Sequence, residues 1–261
     1  MLSFYISRYA SNEEQAGLVF RAVKSIRLIY PTAPITVVDD GSDARFPLDN
    51  LTENDPNVRQ MTNAFKGSGE VGTLRAFLTH GAADEVAVVM HDSMVMRRPL
   101  PADQGLGAKE GVRFLWHFDR YELMHLHASL AVISTMREFN VSNSARLLVM
   151  LMYGMNKNWT GCFGMAMVVR HSRLAKLQER TGFFGSDVME KLTNREMRQA
   201  CERVLSILLH VVNEGSPPIT SLCGSVFDHP EAWGTRLSAA PLGALLAVPY
   251  DSVFMKTWMG R

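Results

Sequence analysis

The sequence predicts an α/β fold built on a mostly parallel central sheet, and three observations carry that expectation. Apolar or β-branched runs recur at Leu2 to Ser7, Ile35 to Val38 and Val86 to Met90, the pattern of strands buried on both faces. Segments of helical spacing separate them. Two of the runs lead directly into acids, Asp39-Asp40 and His91-Asp92, and open parallel sheets gather ligands at the carboxyl ends of their strands.

The first strand, Leu2 to Ser7, is followed at Asn12 to Ile29 by apolar residues at Leu18, Val19, Ala22, Val23, Ile26 and Ile29, with acidic Glu13 and Glu14 in the first turn, where they complement the helix dipole. Pro31 ends that helix. Ile35 to Val38 is the second strand. Asp43 to Asn57 is rich in Asp, Asn and Pro and reads as an irregular connection, with a short strand at Val58 to Met61. Gly69 to Thr79 reads as a helix with Val71, Leu74, Phe77 and Leu78 on one side. Val86 to Met90 is the next buried strand. Beyond it the pattern loosens into a strand at Val112 to Phe118, a helix at Glu122 to Phe139, a strand at Cys162 to Val169 and a helix opening at Leu174. Asn194 to Val212 is the clearest helix, with a stripe of Met197, Cys201, Val204, Leu205, Leu208 and Val212.

The bulk composition narrows the partners. The chain has 261 residues, 47% of them hydrophobic, enough for a large buried core. Its 27 Lys and Arg nearly cancel its 26 Asp and Glu, so no global basic field exists to hold nucleic acid. Three cysteines, an odd number with no CxxC pair, argue against a disulfide framework or structural zinc and fit a reducing compartment. No basic segment followed by an apolar stretch opens the chain, and no apolar run approaches the ~20 residues a membrane span requires. A soluble, cytoplasmic protein without a transmembrane segment is expected.

The candidate chemistry sits at the two strand ends, expected side by side so that their acids share one crevice. In Asp39-Asp40-Gly41-Ser42 the carboxylates can accept hydrogen bonds from a base or a ribose; the same residues equally fit a strand-ending turn. Asp92 is a hard oxygen ligand suited to Mg²⁺ or Mn²⁺ bridging a diphosphate, and His91 can add a nitrogen. Asp92 also fits a simple turn cap. His125 and His127, two apart on a helix, point apart and do not share an ion.

In their order along the chain, Val37-Val38-Asp39-Asp40-Gly41-Ser42, Gly69-Glu70-Val71-Gly72 and Val88-Val89-Met90-His91-Asp92-Ser93 resemble the nucleotide-binding half of GT-A glycosyltransferases. The resemblance implies a three-layer α/β/α fold in one domain over residues 1–261, with 1–100 the nucleotide-binding half and 101–261 the acceptor side. It implies a nucleoside-diphosphate sugar donor, a glycan or other hydroxyl acceptor, and Mn²⁺ or Mg²⁺. It places Asp40, with Asp39 beside it, at the nucleoside and Asp92 at the metal, although Met90 stands where the family's first metal acid is expected. A metal-independent relative would neutralise the diphosphate with Lys or Arg.

Lys66, before Gly67-Ser68-Gly69, is the expected cation at the nucleotide, with Gly69 at the head of the next helix. Trp159-Thr160-Gly161-Cys162-Phe163-Gly164 resembles the acceptor-side loop, with Gly161 allowing close backbone approach. His229 is a late candidate metal ligand. Glu202 is the candidate general base of an inverting transfer, since such a reaction needs a carboxylate to take the acceptor hydroxyl's proton. Asp187 and Glu196 are its reserves, and a surface pair of Glu202 with Arg198 is the other reading. A sugar nucleotidyltransferase would need a glycine-rich basic loop after the first strand, which Ser7 to Asn12 does not supply. A nucleotide- or glycan-binding module without turnover is the non-enzymatic alternative.

Overall fold

The computed structural model describes residues 1–101, 111–118, 125–136, 160–192, 194–212, 221–228, 240–249 and 251–257. Strands and helices alternate at first: β1 (Leu2–Arg8), α1 (Glu13–Arg27), β2 (Ile35–Asp39), α2 (Asp49–Asn54), β3 (Val58–Thr62), α3 (Glu70–His80) and β4 (Val86–His91). Asn12 starts α1 by accepting the Gln15 N–H at 3.0 Å, a side-chain N-cap. β5 (Met94–Met96), β6 (Val112–Phe114), β7 (His117–Phe118), α4 (Leu126–Ser134), β8 (Gly161–Cys162) and β9 (Met167–Arg170) follow. The remaining elements are α5 (His171–Thr181), α6 (Ser186–Met189), α7 (Arg195–Val212), α8 (Leu242–Ala247) and β10 (Phe254–Lys256).

The central sheet has the order β3-β2-β1-β4-β9-β6. β1 pairs in parallel with β2 on one side and β4 on the other, Ile6 facing both Val37 and Met90. The expectation that the two acid-ended strands are neighbours is thus corrected: β1 lies between them. β9 runs antiparallel to β4 and to β6, so every strand but β9 points the same way and the second half of the chain completes the sheet begun by the first.

Right-handed crossovers explain the layers. The chain leaves β1 through α1 toward β2, then returns from β3 through α3 to β4 in the opposite direction, which puts the two helices on opposite faces. Successive residues of β1 report this: Phe4 packs on Tyr30, just past α1, with ring centroids 5.6 Å apart, and Tyr5 packs on Phe77 of α3 at 5.0 Å. One continuous apolar core runs from Phe4 to Phe254.

The helix α7 forms where its apolar stripe predicts. Asn194 accepts the Met197 N–H at 3.0 Å as its cap, and Cys201, Val204, Leu205 and Leu208 are buried against the core. Truncating Leu205 to alanine there would cost about 2–5 kcal/mol.

Short pieces depart from expectation. The 43–57 connection contains α2; the 112–118 strand breaks at Leu115-Trp116 into β6 and β7; and the 162–169 strand is interrupted by a 3-10 turn at Phe163–Met165. The helix expected over 122–139 is seen as α4, which ends at Ser134; 122–124 and 137–139 lie outside the described residues. The antiparallel ribbon of β5 and β10, with Lys256 opposite Met94, had no sequence signal. No helix among the described residues is long and apolar enough to cross a membrane.

Candidate active site

A cleft of about 670 Å³ opens at the carboxyl ends of β1, β2 and β4, where the strand order reverses about β1 and the two crossovers diverge. This switch point is where open α/β sheets leave room for ligands. Ser7 and Tyr9 come from the end of β1, Asp40 from β2, His91 and Ser93 from β4, while Glu202 on α7 and Lys256 on β10 reach it from the opposite side of the sequence.

The sheet-end acids are largely committed to the chain itself. Asp39 accepts the Gly41 and Ser42 N–H groups at 3.0 and 2.8 Å and pairs with the buried guanidinium of Arg8, which also donates to the Phe46 carbonyl. Burial pushes its carboxyl up, but Ser42 and Arg8 outweigh this and hold it below the usual range. Expected at the nucleoside, Asp39 does not line the cleft; its carboxylate folds the turn.

Asp40 does line the cleft. Its Oδ1 accepts from Asn63 Nδ2 at 2.6 Å and the Gly67 N–H at 2.9 Å, and its Oδ2 from the Gly69 N–H at 3.0 Å. Burial raises its pKa, an effect these donors only partly offset. Asp40 therefore organises the 66–69 loop from inside. Gly69 closes that loop at φ 55°, ψ −123°, a conformation that L side chains rarely adopt, and a Cβ there would stand 3.1 Å from Arg198 Cδ. Lys66 is exposed on the cleft wall with its stem across Gly41.

Asp92, expected at the metal, is placed much as Asp39 is. It is only 1% exposed, accepts the Tyr9 N–H at 3.3 Å and does not line the cleft, although its neighbours His91 and Ser93 do. His91 faces the cleft instead. Its Nε2 lies 2.8 Å from the Gly164 carbonyl, an acceptor only, so Nε2 carries the hydrogen. Its Nδ1 lies 3.2 Å from Glu70 Oε1 and 3.4 Å from Lys256 Nζ. Burial raises the Glu70 carboxyl, yet His91, its own backbone N–H, Arg198 and Lys256 prevail and hold it down.

Gly161, expected at the ligand, packs against Phe118 and lies away from the cleft. Gly164, three residues on, takes the role: it lines the cleft at φ +59°, and a Cβ would fall 2.6 Å from His91 Nε2.

Glu202 lies in the cleft together with Arg195, Arg198 and Gln199, positions i, i+3, i+4 and i+7 of one helical face. The surface pair with Arg198 is not formed; Arg198 donates to the Gly67 carbonyl at 2.8 Å and buttresses the loop. Burial pushes the Glu202 carboxyl up to about 8, against the partial relief of Arg203, Lys256 and the Gly164 N–H, with Glu70 adding to the rise. Asp187 and Glu196, its reserves, do not line the cleft. His229 and Trp159 lie outside the described residues.

The residues missed in the sequence were Tyr9, Glu70, Arg195, Gln199 and Lys256. The four-position polar face of α7 was visible as a spacing; nothing in the short Phe254-Met255-Lys256 segment signalled a site.

The donor set does not fit a divalent metal. Among the described residues no three His, Cys, Asp or Glu side chains are grouped to hold an ion. Asp92 is turned away, Asp40 is occupied by three donors, and the Lys256 ammonium stands beside the one imidazole.

No family model and no curated protein matches this chain. Among solved structures, that of the galactosyltransferase LgtC in complex with donor and acceptor sugar analogs is similar, with 13% identity, 96% of this chain and 98% of that chain covered, and a TM-score of 0.42. At that score the likeness transfers no residue role, and the site is argued from its own geometry.

Proposed function

We propose that this chain is a GT-A-type glycosyltransferase, a single domain that moves a sugar from a nucleoside-diphosphate donor to a hydroxyl acceptor with inversion, Glu202 acting as the base. One observation carries the reading: a single switch-point cleft joins the Asp40-organised loop, four cationic side chains and a carboxyl tuned to about 8. An acid or base works best when its pKa lies near the working pH.

In this reading the ring of Tyr9 offers a platform for the base of the nucleotide, as it stands exposed at the cleft. Lys66 and the loop held by Asp40 face the diphosphate. The acceptor oxygen attacks the anomeric carbon as the bond from that carbon to the diphosphate oxygen breaks. Its electron pair leaves with the diphosphate, and the acceptor's proton passes to Glu202. Because the base and the leaving group act on opposite sides of the carbon, the configuration inverts.

Purified protein incubated with a panel of nucleotide sugars should consume one of them, and Glu202→Gln should lower turnover by about 10²–10⁴-fold, the usual weight of a general base. Nucleotide binding without consumption, unchanged in Glu202→Gln, would instead identify a binding module.

A further inference from the structure

Building on the donor reading above, we infer that Lys256 occupies the place a divalent metal would take, and that the cleft binds the diphosphate of its ligand through this ammonium without a metal ion. Its position is fixed rather than incidental. The β5–β10 ribbon sets Lys256 opposite Met94, and the next residue, Thr257, donates its N–H to the Ser93 carbonyl at 2.7 Å. The ammonium therefore arrives beside the end of β4, over the ring of Phe163 at 5.2 Å and 3.4 Å from His91 Nδ1.

The neighbours argue against an ion at the same point. His91 uses Nε2 on the Gly164 carbonyl and presents Nδ1 to Lys256 and Glu70, so a metal on Nδ1 would have to displace a like charge. Asp92, the carboxylate the sequence offers, is buried, accepts the Tyr9 N–H and does not line the cleft. Electrostatics point the same way: Lys66, Arg195, Arg198 and Lys256 share the cleft with Asp40, Glu70 and Glu202. Asp40 is engaged by backbone and Asn63 donors, and Glu70 by His91. Those hydrogen bonds leave the carboxylates charged, so four cations against three carboxylates leave the cleft with one positive charge in excess, complementary to an anion and repulsive to a divalent cation. As the bond to the leaving group breaks, Lys256 meets the charge that develops on the diphosphate, the task a metal performs elsewhere.

Calorimetric titration of the full chain with inorganic pyrophosphate, and separately with nucleoside diphosphates, tests this. EDTA-treated protein should bind pyrophosphate, and added Mn²⁺ should not be required. Lys256→Met should weaken that binding about tenfold or more, the worth of one charge-assisted contact. Lys256→Arg should recover most of it, and Asp92→Asn should leave it unchanged. Binding that appears only with Mn²⁺, no pyrophosphate binding in either condition, or wild-type affinity in a folded Lys256→Met protein would overturn the inference. Should pyrophosphate bind in EDTA through Lys256 while no nucleoside diphosphate does, the inference stands and the donor reading falls.

Discussion

Asp39 at the end of β2 and Glu202 on α7 lie in one region of the molecule but in opposite electrostatic conditions, with Asp40 between them. Asp39 and Asp40 are wrapped by backbone N–H groups, and Asp39 adds the Arg8 guanidinium. Glu202 has Arg203, Lys256 and the Gly164 N–H against the burial that pushes it up to about 8. Asp39 is an anion the fold has stabilised, Asp40 is raised by burial that its three donors only partly offset, and Glu202 is a carboxyl the fold has made costly to ionise. Chemistry is expected where ionisation is costly, and structural support where it is satisfied.

Variants can break or sharpen this contrast. Glu202→Gln has the largest expected effect, with sugar transfer falling about 10²–10⁴-fold while the folded protein becomes more stable. The folded state holds the Glu202 proton up to about 8, whereas the unfolded chain releases it near 4.5. Stability attributable to this residue therefore falls as pH rises from 4.5 to 8 and levels above that. The amide removes the fall, a gain of about 1–3 kcal/mol above pH 8 after discounting for the solvent the cleft admits. Thermal melts at pH 5 and pH 9 should show no gain at the first and several degrees at the second. A loss at pH 9 would place Glu202 among the satisfied acids.

Arg8→Ala should act in the opposite sense. It leaves Asp39 buried without its ion pair and should cost about 3–5 kcal/mol, read as a drop in denaturant midpoint. The same activity assay followed with pH should show transfer rising to a plateau, its midpoint near 8, because the base must be ionised to accept a proton. A profile flat from pH 6 to 9 would remove Glu202 from the reaction.

Asp40→Asn should cost about 1–3 kcal/mol by weakening the acceptor that three donors share and should loosen nucleotide binding through the 66–69 loop. Asp92→Asn is the mildest: stability should fall by about 1 kcal/mol with ligand affinity within about twofold of wild type by calorimetry. A larger loss of affinity would return Asp92 to the ligand.

The fold was legible because its signals are local. The β-branched runs of β2 and β4, the capped and striped helices α1 and α7, and the helix after Gly69 all announce themselves within about twenty residues, since burial on one or two faces imposes a period on neighbouring side chains. The pieces lost, such as β5, β10 and the break at Leu115-Trp116, are two or three residues long, too short to hold a period.

The site divides along the same line. Asp40, Lys66, Gly69 and Glu202, singled out in the sequence by their places at strand ends and on a helix face, all line the cleft. The sequence did not reveal which way a carboxylate turns: Asp39 and Asp92 stand at the expected strand ends, yet backbone N–H groups supplied by neighbouring turns draw them into the chain. Nor did it reveal that Lys256, 165 positions from His91, comes to lie against it. Side-chain direction and long-range pairing depend on partners that only the folded chain brings within hydrogen-bonding distance, whereas periodic burial is written residue by residue.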